Sequence, residues 1–332
     1  MTNKEMKKVA IKASVFAIVS ISLMLYRSAT KHIMITDAAG VQFERGSSEN
    51  AYTLLVDKNV PQGKSDVLII PLPKSVSSDN IVLEDSYMDH QLRIYIDSRE
   101  EGFYKDNAIV TDLDIIEDAV CVAQNDTGSV CLDFDLDNLY ANESTLTESS
   151  TIEVKFLRPA EKYDRIVAVD TDAALSETAL LLKNIASRDQ NNDIKFYYTS
   201  QAGKDVSIEQ RKALVKDCQA DLLVGLSADD SGNDEGLTCY YNDRFFLRRL
   251  NNAQFADMVE RNCAVASGTQ AFGVMPAEED ELLSASSIPS ARLKISIAAG
   301  NDENENPVVK TDMNKVAEGV YNAVLEAFEV ME

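Results

Sequence analysis

The sequence predicts an α/β protein in which a doubly wound, mostly parallel sheet follows a small all-β domain and an N-terminal transmembrane helix. Three observations support this: strand and helix patterns alternate after Tyr163, short β-type runs fill residues 51–159, and an apolar run occupies residues 13–26. The chain of 332 residues exceeds the usual size of one domain, so two folded units are expected. The formal net charge of −23 argues against nucleic-acid binding, which requires clustered Lys and Arg.

The first 30 residues predict a membrane anchor with a short cytoplasmic tip. Lysines precede the apolar run ASVFAIVSISLMLY, and a helix that starts at Val9 reaches the lower limit of what spans a bilayer. The basic cluster predicts a cytoplasmic N-terminus, with the bulk of the chain outside the cytoplasm. We favour an uncleaved signal anchor over a cleaved signal peptide, because no A-x-A site follows the run. The polar residues 31–50 then form a stalk.

Residues 51–159 predict a β-rich domain. The runs YTLLV, DVLIIPL, QLRIYID, AVCVAQ, SVCLDFDL and TIEVKFL are separated by turn residues, a spacing typical of a small sandwich. Cys121 and Cys131 lie on either side of the turn sequence NDTG, so a disulfide across this hairpin is a candidate. The alternative is that both thiols pack as small apolar side chains. Because the chain has five cysteines, at least one thiol lacks an intramolecular partner.

Residues 160–332 predict the α/β domain. RIVAVD is a continuous apolar strand of the kind that is buried on both faces, and SETALLLKNIASR follows it as an amphipathic helix. Further strands and helices alternate up to a last helix from Thr311 to about Met331. Ligands of such sheets bind outside the carboxyl ends of the strands. We therefore expect residues 170–173, 227–230 and 298–301 to form one crevice.

Residues 163–328 resemble the zinc-dependent N-acetylmuramoyl-L-alanine amidases, which cut the amide between the glycan and the stem peptide of peptidoglycan. The similar segments occur in the order YDRIVAVD, SETALLL, FYYTS with SIEQRKAL, QADLLVGLSAD, and IPSARLKIS to GNDENE. A β-rich domain that follows a membrane anchor is also similar to cell-wall amidases of Gram-positive bacteria. The resemblance implies an amidase-like fold for residues 160–332.

The resemblance also implies that the zinc site is lost. Family members bind zinc through a histidine, a glutamate and a second histidine, and a late strand carries a catalytic glutamate. In this sequence Ala173 and Ser227 stand at the histidine positions, Glu177 matches the zinc-binding glutamate, and Lys294 or Ile295 replaces the catalytic one. Both histidines of the chain precede residue 100, so no His/Glu/His zinc site forms in this half.

The residues of the crevice allow two other chemistries. A calcium or magnesium site would use carboxylates near the strand ends. These carboxylates are Asp170, Asp172, Glu177, Asp229 and Asp230. A Ser227–Lys294 pair would be a nucleophile, but the domain has no histidine base and no G-x-S-x-G motif. We favour neither. The candidate crevice residues are Asp170, Asp172, Arg211, Asp229 and Lys294.

Two charged residues and one basic, aromatic segment each have a structural and a functional interpretation. Arg211 and Asp221 match family positions near the site, and we interpret each as a structural tether. The segment YYNDRFFLRRL, residues 240–250, is the densest basic and aromatic stretch. It is either a surface for a glycan or protein partner, or an aromatic core with solvated arginines. We favour the second interpretation.

The sequence thus predicts a membrane-anchored, extracytoplasmic cell-wall protein whose amidase-like domain is catalytically inactive and has lost the zinc of its family. It would bind peptidoglycan or regulate cell-wall hydrolysis, with peptidoglycan or a cell-wall, division or sporulation protein as partner. One alternative is an active peptidoglycan amidase with substituted metal ligands. Another is a structural module that mediates oligomerisation.

Overall fold

The computed structural model describes residues 34–36, 51–98, 100, 102–124, 129–189, 192–200, 206–229, 236–244, 246–296 and 311–332. The chain divides into two compact units. One contains residues up to 138 together with Asn142–Phe156, and the other contains Leu139–Ala141 and Leu157–Glu332. Among the described residues, no helix is both long and apolar enough to cross a membrane. The predicted transmembrane helix at residues 13–26 lies outside this described part of the chain.

The first unit is built from two sheets that share one apolar core. Its strands are β1 (Met34–Thr36), β2 (Ala51–Thr53), β3 (Val56–Asp57), β4 (Val67–Pro71), β5 (Ile81–Ser86), β6 (Gln91–Asp97), β7 (Ile109–Val110), β8 (Ile116–Gln124), β9 (Ser129–Leu136), β10 (Ala141–Leu146) and β11 (Thr151–Leu157), with one short helix, α1 (Phe103–Asp106). The strand orders are β1-β5-β6-β9-β8-β2 and β10-β11-β4-β7-β3. Alternate residues of both sheets, such as Leu83, Leu132, Ile70 and Val154, form a single buried cluster, which is the packing of a β sandwich.

The predicted disulfide between Cys121 and Cys131 is contradicted by the pairing of β8 with β9. Cys121 is opposite Leu132, whereas Cys131 is opposite Val122. Because side chains alternate between the faces of a sheet, this register places the two thiols on opposite faces. Both cysteines are free and buried, and burial raises the pKa of each thiol. The alternative interpretation, in which they pack as small apolar side chains, fits this arrangement.

The sheet face opposite the core carries a buried row of charged side chains. Arg93 lies between Glu84 and Asp133, with its Nη1 atom 3.9 Å from Glu84 Oε1 and its Nε atom 3.6 Å from Asp133 Oδ1. Tyr95 donates a hydrogen bond of 2.9 Å to Glu84 Oε2. Since Asp133 is fully buried, the neighbouring guanidinium stabilises its charge.

The second unit contains a six-stranded, mostly parallel sheet, as predicted. Its strands are β12 (Arg165–Thr171), β13 (Ile194–Tyr198), β14 (Leu222–Asp229), β15 (Leu237–Tyr241), β16 (Ala271–Pro276) and β17 (Ser290–Ser296). The strand order is β13-β12-β14-β17-β15-β16. All described pairs are parallel except β15 with β17. The carboxyl ends of β12, β14 and β17 therefore meet at one edge.

Helices cover both faces of this sheet. They are α2 (Pro159–Lys162), α3 (Ser176–Arg188), α4 (Ile208–Asp217), α5 (Asn252–Ser267), α6 (Glu281–Ala285) and α7 (Met313–Met331). One face is apolar: Val167 and Val169 of β12 share a core with Leu182 of α3, Phe255 of α5 and Val320 of α7. The opposite face of β12 presents Asp170, which α4 approaches through Arg211. The polar groups of the domain therefore converge on this second face.

Helices α5 and α7 approach each other closely at Gly319. A Cβ atom on Gly319 would lie 2.5 Å from the Cα atom of Cys263. Only a residue without a side chain permits this contact between two helix backbones. The absence of a Cβ atom thus sets the spacing of the two helices.

Candidate functional site

The candidate site lies on the polar face of β12, β14 and β17, where the parallel register aligns side chains in rows. Asp170, Gly225 and Arg292 are opposite one another in one row. One step closer to the carboxyl ends, Ser227 is opposite Lys294. Residues two apart on a strand share a face, so both rows lie on the same side of the sheet.

A network of ion pairs and hydrogen bonds centred on Asp170 occupies the first row. Asp170 is fully buried, and its Oδ2 atom lies 2.8 Å from Arg292 Nη2. Its Oδ1 atom lies 3.3 Å from Arg211 Nη1 and accepts a hydrogen bond of 2.5 Å from Thr199 Oγ1. Arg292 also donates to Asp280 through Nε. The network therefore connects β12, β17, α4 and the residue that follows β13.

The electrostatics of this network favour an ionised Asp170. Burial alone would raise the pKa of the Asp170 carboxyl, but the charge of Arg292, the hydrogen bonds from Thr199 and Arg292, and the charge of Arg211 outweigh burial and lower the pKa below its ordinary value of 3.8. Arg292 reaches Asp170 by crossing Gly225, where a Cβ atom would lie 2.9 Å from the guanidinium carbon. The missing side chain at Gly225 therefore makes room for the arginine.

A cavity of about 880 Å³ opens beside the network. Arg211, Tyr240, Arg292 and Lys294 line it together with residues 275–282. The Nζ atom of Lys294 lies 4.6 Å from the centroid of the Tyr240 ring, within the range of a cation–π contact. This contact directs Lys294 towards β15, on the side of β17 away from Ser227, which argues against a Ser–Lys nucleophile.

The structure brings together several of the sequence-predicted residues. Asp172 lies just beyond β12, where its Oδ2 atom accepts a hydrogen bond of 2.9 Å from the backbone N–H of Ala228. The Oδ1 atom of Asp172 and the Oγ atom of Ser227 are both buried, and neither has a hydrogen-bond partner among the described residues. Asp229 is the last residue of β14. The predicted residues Asp230 and 298–301 lie outside the described part of the chain.

The residues that the resemblance places at the zinc ligands do not fit a zinc ion. Ala173 has no donor atom, and it lies exposed in a short 3₁₀ turn, residues 173–175. Glu177 is exposed at the start of α3, and Ser227 supplies only a hydroxyl. Within the described ranges, no cluster of three or more His, Cys, Asp or Glu side chains is arranged to hold a metal. The Asp170 carboxylate is occupied by two arginines, which argues against the calcium or magnesium alternative.

The two tethers suggested by the sequence are both structural in this arrangement. Arg211 forms its ion pair with buried Asp170. Asp221 Oδ2 accepts a hydrogen bond of 2.8 Å from the backbone N–H of Ile166, which ties the start of β14 to β12. Sequence reasoning missed Arg292 and its contact with Asp280. The segment RLKIS already indicates the role of Arg292. Arg292 and Lys294 are two residues apart on an apolar strand, so both side chains lie on the same face of the sheet.

The basic and aromatic stretch at residues 240–250 uses its arginines for internal contacts. Arg248 donates to the carbonyl oxygens of Leu250 at 2.9 Å and Ser287 at 2.5 Å. Arg249 donates to the carbonyl oxygen of Met331 at 3.2 Å. Phe246 lies under Arg248, with 4.5 Å between the ring centroid and the guanidinium carbon. These contacts favour the structural interpretation of this stretch over a partner-binding surface.

Comparison with known proteins finds a family match within the second unit. Residues 170–326 match the family model described as N-acetylmuramoyl-L-alanine amidase. No curated protein sequence matches the chain significantly.

Solved amidase structures are similar to about half of the chain. The catalytic domain of CwlV, an N-acetylmuramoyl-L-alanine amidase from Bacillus (Paenibacillus) polymyxa var. colistinus, is 19% identical, with 50% of this chain and 99% of that chain covered and a TM-score of 0.39. An N-acetylmuramoyl-L-alanine amidase from Clostridium difficile 630 is 18% identical, with 51% and 98% covered and a TM-score of 0.40. The CwlD amidase from Clostridioides difficile, in complex with the GerS lipoprotein, is 13% identical, with 50% and 99% covered and a TM-score of 0.36.

Proposed function

Starting from an N-acetylmuramoyl-L-alanine amidase family domain at residues 170–326, we propose that this protein binds peptidoglycan at the cell surface without hydrolysing it. The observation that carries the proposal is the chemistry of the crevice. Asp170 is neutralised by two arginines of the chain itself. A lysine projects into the adjoining cavity, on the strand where the family carries its catalytic glutamate.

The side chains of the crevice support the absence of amide hydrolysis. A catalytic zinc needs about three protein ligands and an open position for water. Of the family's ligand positions, only Glu177 retains a group that binds zinc, and it is exposed at the start of α3. Lys294 has no carboxylate, so it lacks the group that would act as the general base in the family. These substitutions remove both the Lewis acid and the general base.

The cavity beside the Asp170 network supports binding. Its volume of about 880 Å³ falls within the usual range of ligand sites, roughly 300–1,000 Å³. Apolar side chains and charged groups line it together, among them Ile208, Leu282 and Lys294. Such a mixture provides both contact area and orientation for a polar ligand.

The proposal includes an extracytoplasmic location. It rests on the lysine-flanked apolar run at residues 13–26, which would anchor the chain with its N-terminus in the cytoplasm. Peptidoglycan would then lie on the same side of the membrane as the two folded units. Regulation of a cell-wall hydrolase, or of a division or sporulation complex, is a role that such a binding protein would serve.

Purified peptidoglycan tests the proposal. The full chain is incubated with insoluble peptidoglycan, with and without added zinc, beside an active amidase. We expect the protein to sediment with the polymer and to release no amino termini above the buffer blank. Metal-dependent release would contradict the proposal and establish an amidase with substituted ligands. Neither sedimentation nor release would favour a structural module.

A second experiment tests the assignment of the ligand positions. The variant Ala173→His/Ser227→His/Lys294→Glu restores both histidines and removes the ammonium group. If these positions converge with Glu177, the variant should retain about one zinc ion per chain after dialysis, because three ligands are then present. Ala173→His alone is the matched control and should retain none. Equal zinc in the triple variant and the control would show that the positions do not converge.

A further inference from the structure

The loop that follows β15 projects one leucine into solvent. Leu247 is 96% exposed, the highest value among the large apolar side chains of the described residues. Single exposed apolar residues are common on protein surfaces. The significance of Leu247 therefore depends on how it is held and on what surrounds it.

Internal contacts fix both ends of this loop. Asn242 is buried, and its side-chain amide donates to the carbonyl oxygen of Leu283 at 2.8 Å. At the other end Leu250 is buried, and Arg248 donates to its carbonyl oxygen at 2.9 Å. These contacts, which argue against a protein or glycan surface formed by the whole stretch, do not include Leu247. The leucine is thus presented at the tip of an anchored loop.

The arginines of the loop keep their positive charges. Arg248 and Arg249 donate to backbone carbonyl oxygens, and Arg244 is exposed. Within the described part of the chain, none of the three pairs with a carboxylate side chain. Asp243 is the one acidic residue among residues 242–250. The loop therefore combines an apolar tip with a net positive charge, in a chain whose formal net charge is −23.

The loop lies at the end of the sheet opposite the crevice. β15 is antiparallel to β17, and its last residue, Tyr241, is opposite Ala291 near the start of β17. The parallel strands β12, β14 and β17 begin at this end, and the crevice residues Asp172 and Ser227 lie at their carboxyl ends. A flat surface in contact with Leu247 would therefore leave the crevice facing away from it.

An anionic lipid surface fits these features better than a folded protein partner. An apolar side chain flanked by cations inserts at the boundary of headgroups and acyl chains, where arginines meet lipid phosphates. A stable protein interface needs a much larger area than Leu247 and the half-buried Phe246 provide. The acidic remainder of the chain is repelled by such a surface, but screening limits this repulsion to about 8 Å at physiological salt.

We propose that Leu247 docks on an anionic membrane surface, with Arg244 and Arg249 at the lipid phosphates. The lysine-flanked apolar run at residues 13–26 would keep the loop close to such a surface and raise its effective concentration there. The contact orients the second unit so that its crevice faces away from the bilayer. The inference goes beyond the proposed function and does not depend on peptidoglycan binding.

A fluorophore at the tip tests the inference. Leu247→Cys in the full chain is labelled with the environment-sensitive dye NBD, which should label this position selectively because the five native cysteines are buried. The labelled chain is combined with phosphatidylglycerol vesicles that contain a doxyl lipid, a quencher located within the bilayer. We expect the emission to shift to shorter wavelength and to fall at least about twofold, because the tip enters the interface. Leu180→Cys is the matched control: Leu180 is 57% exposed but lies in the first half of α3, and its label should remain unquenched.

Charge variants and a neutral lipid separate headgroup recognition from a purely apolar contact. Arg244→Gln/Arg249→Gln in the labelled chain should reduce the quenched fraction at least about twofold, because each arginine adds to binding at an anionic surface. Arg244→Lys/Arg249→Lys should preserve most of the quenching, and phosphatidylcholine vesicles should reduce it as the glutamine variant does. Circular dichroism spectra confirm that each variant is folded. An unquenched tip, equal quenching at residues 247 and 180, or quenching that neither the glutamine variant nor the neutral lipid reduces would each overturn the inference.

The two proposals fail in different ways. If the full chain sediments with peptidoglycan but the label at residue 247 is not quenched, the membrane contact is wrong and peptidoglycan binding stands. If the tip is quenched but the chain does not sediment with the polymer, the membrane contact stands and the proposed function is wrong.

Discussion

Removing Arg292 should destabilise the second unit strongly, because the arginine neutralises a carboxylate that has no access to solvent. The side chain of Asp170 is fully buried and that of Arg292 is 13% exposed, with 2.8 Å between Nη2 and Oδ2. In Arg292→Met the stem of the side chain is retained and the charge is lost. Among the described residues, Asp170 then keeps Arg211, at 3.3 Å, and Thr199.

The magnitude follows from the cost of an uncompensated buried charge. Breaking a buried ion pair from one side costs about 3–5 kcal/mol. The contacts of Asp170 with Arg211 and Thr199 remain, so we expect the lower end of this range, about 3 kcal/mol. Asp170→Asn/Arg292→Met should recover part of the loss, because it removes the unpaired charge as well.

Urea unfolding followed by circular dichroism measures this loss, with the free energy of unfolding extrapolated to water. Urea is uncharged and does not screen the ion pair. Because the chain has two units, the transition of the second unit must be assigned, for example as the one that Gly319→Ala also shifts. Arg188→Met, at an exposed position of α3, is the matched control and should change stability by no more than about 0.5 kcal/mol.

The pH dependence gives an independent test. The pKa of Asp170 is lowered in the folded protein, so its ionised form contributes stability above the ordinary value of 3.8, and this contribution is lost as the pH falls through the folded-state pKa. The difference between the wild type and Arg292→Met should therefore be greatest near neutral pH and shrink in acid. Breaking a buried ion pair is expected to cost about 3–5 kcal/mol of unfolding free energy. A loss below about 1 kcal/mol at neutral pH would therefore refute the reasoning. A loss that does not change with pH would also refute it.

Three further predictions concern other parts of the chain. Gly319→Ala should cost about 2 kcal/mol or more in the unfolding free energy of the second unit, because the new Cβ atom would collide with the backbone of Cys263. Arg93→Met should cost about 3 kcal/mol in the first unit by removing the guanidinium that pairs with buried Glu84 and Asp133, and urea unfolding would detect either loss. The five cysteines are buried and free, so a thiol reagent such as Ellman's should react with none in the native protein and with five after unfolding. Rapid native labelling would contradict this.

The second unit was largely predictable because its strands are buried on both faces and read as continuous apolar runs. RIVAVD and DLLVGLS became β12 and β14, at the centre of the sheet. The last helix was expected from Thr311 and begins at Met313. Asp312 explains the difference, because its side chain caps the helix by accepting from Asn314 and Lys315.

Register and long-range pairing were not predictable from the sequence alone. Cys121 and Cys131 are symmetric about a turn, yet a shift of one residue in pairing sends them to opposite faces. Likewise, the ion pair between Arg292 and Asp170 spans 122 positions of the chain. It forms only because β14 lies between β12 and β17 and presents a glycine where the arginine crosses.

The charges of the crevice connect these findings. In the zinc-dependent amidases that the sequence resembles, a metal ion supplies positive charge at the carboxyl ends of the strands. In this chain Arg211, Arg292 and Lys294 bring positive charge to the polar face of the sheet, and two of the three are paired with carboxylates. A protein cation has no open coordination site for water, so it attracts a ligand carboxylate without activating a nucleophile. Under the function proposed above, these fixed cations would attract an anionic group of the ligand without supplying the metal chemistry of hydrolysis.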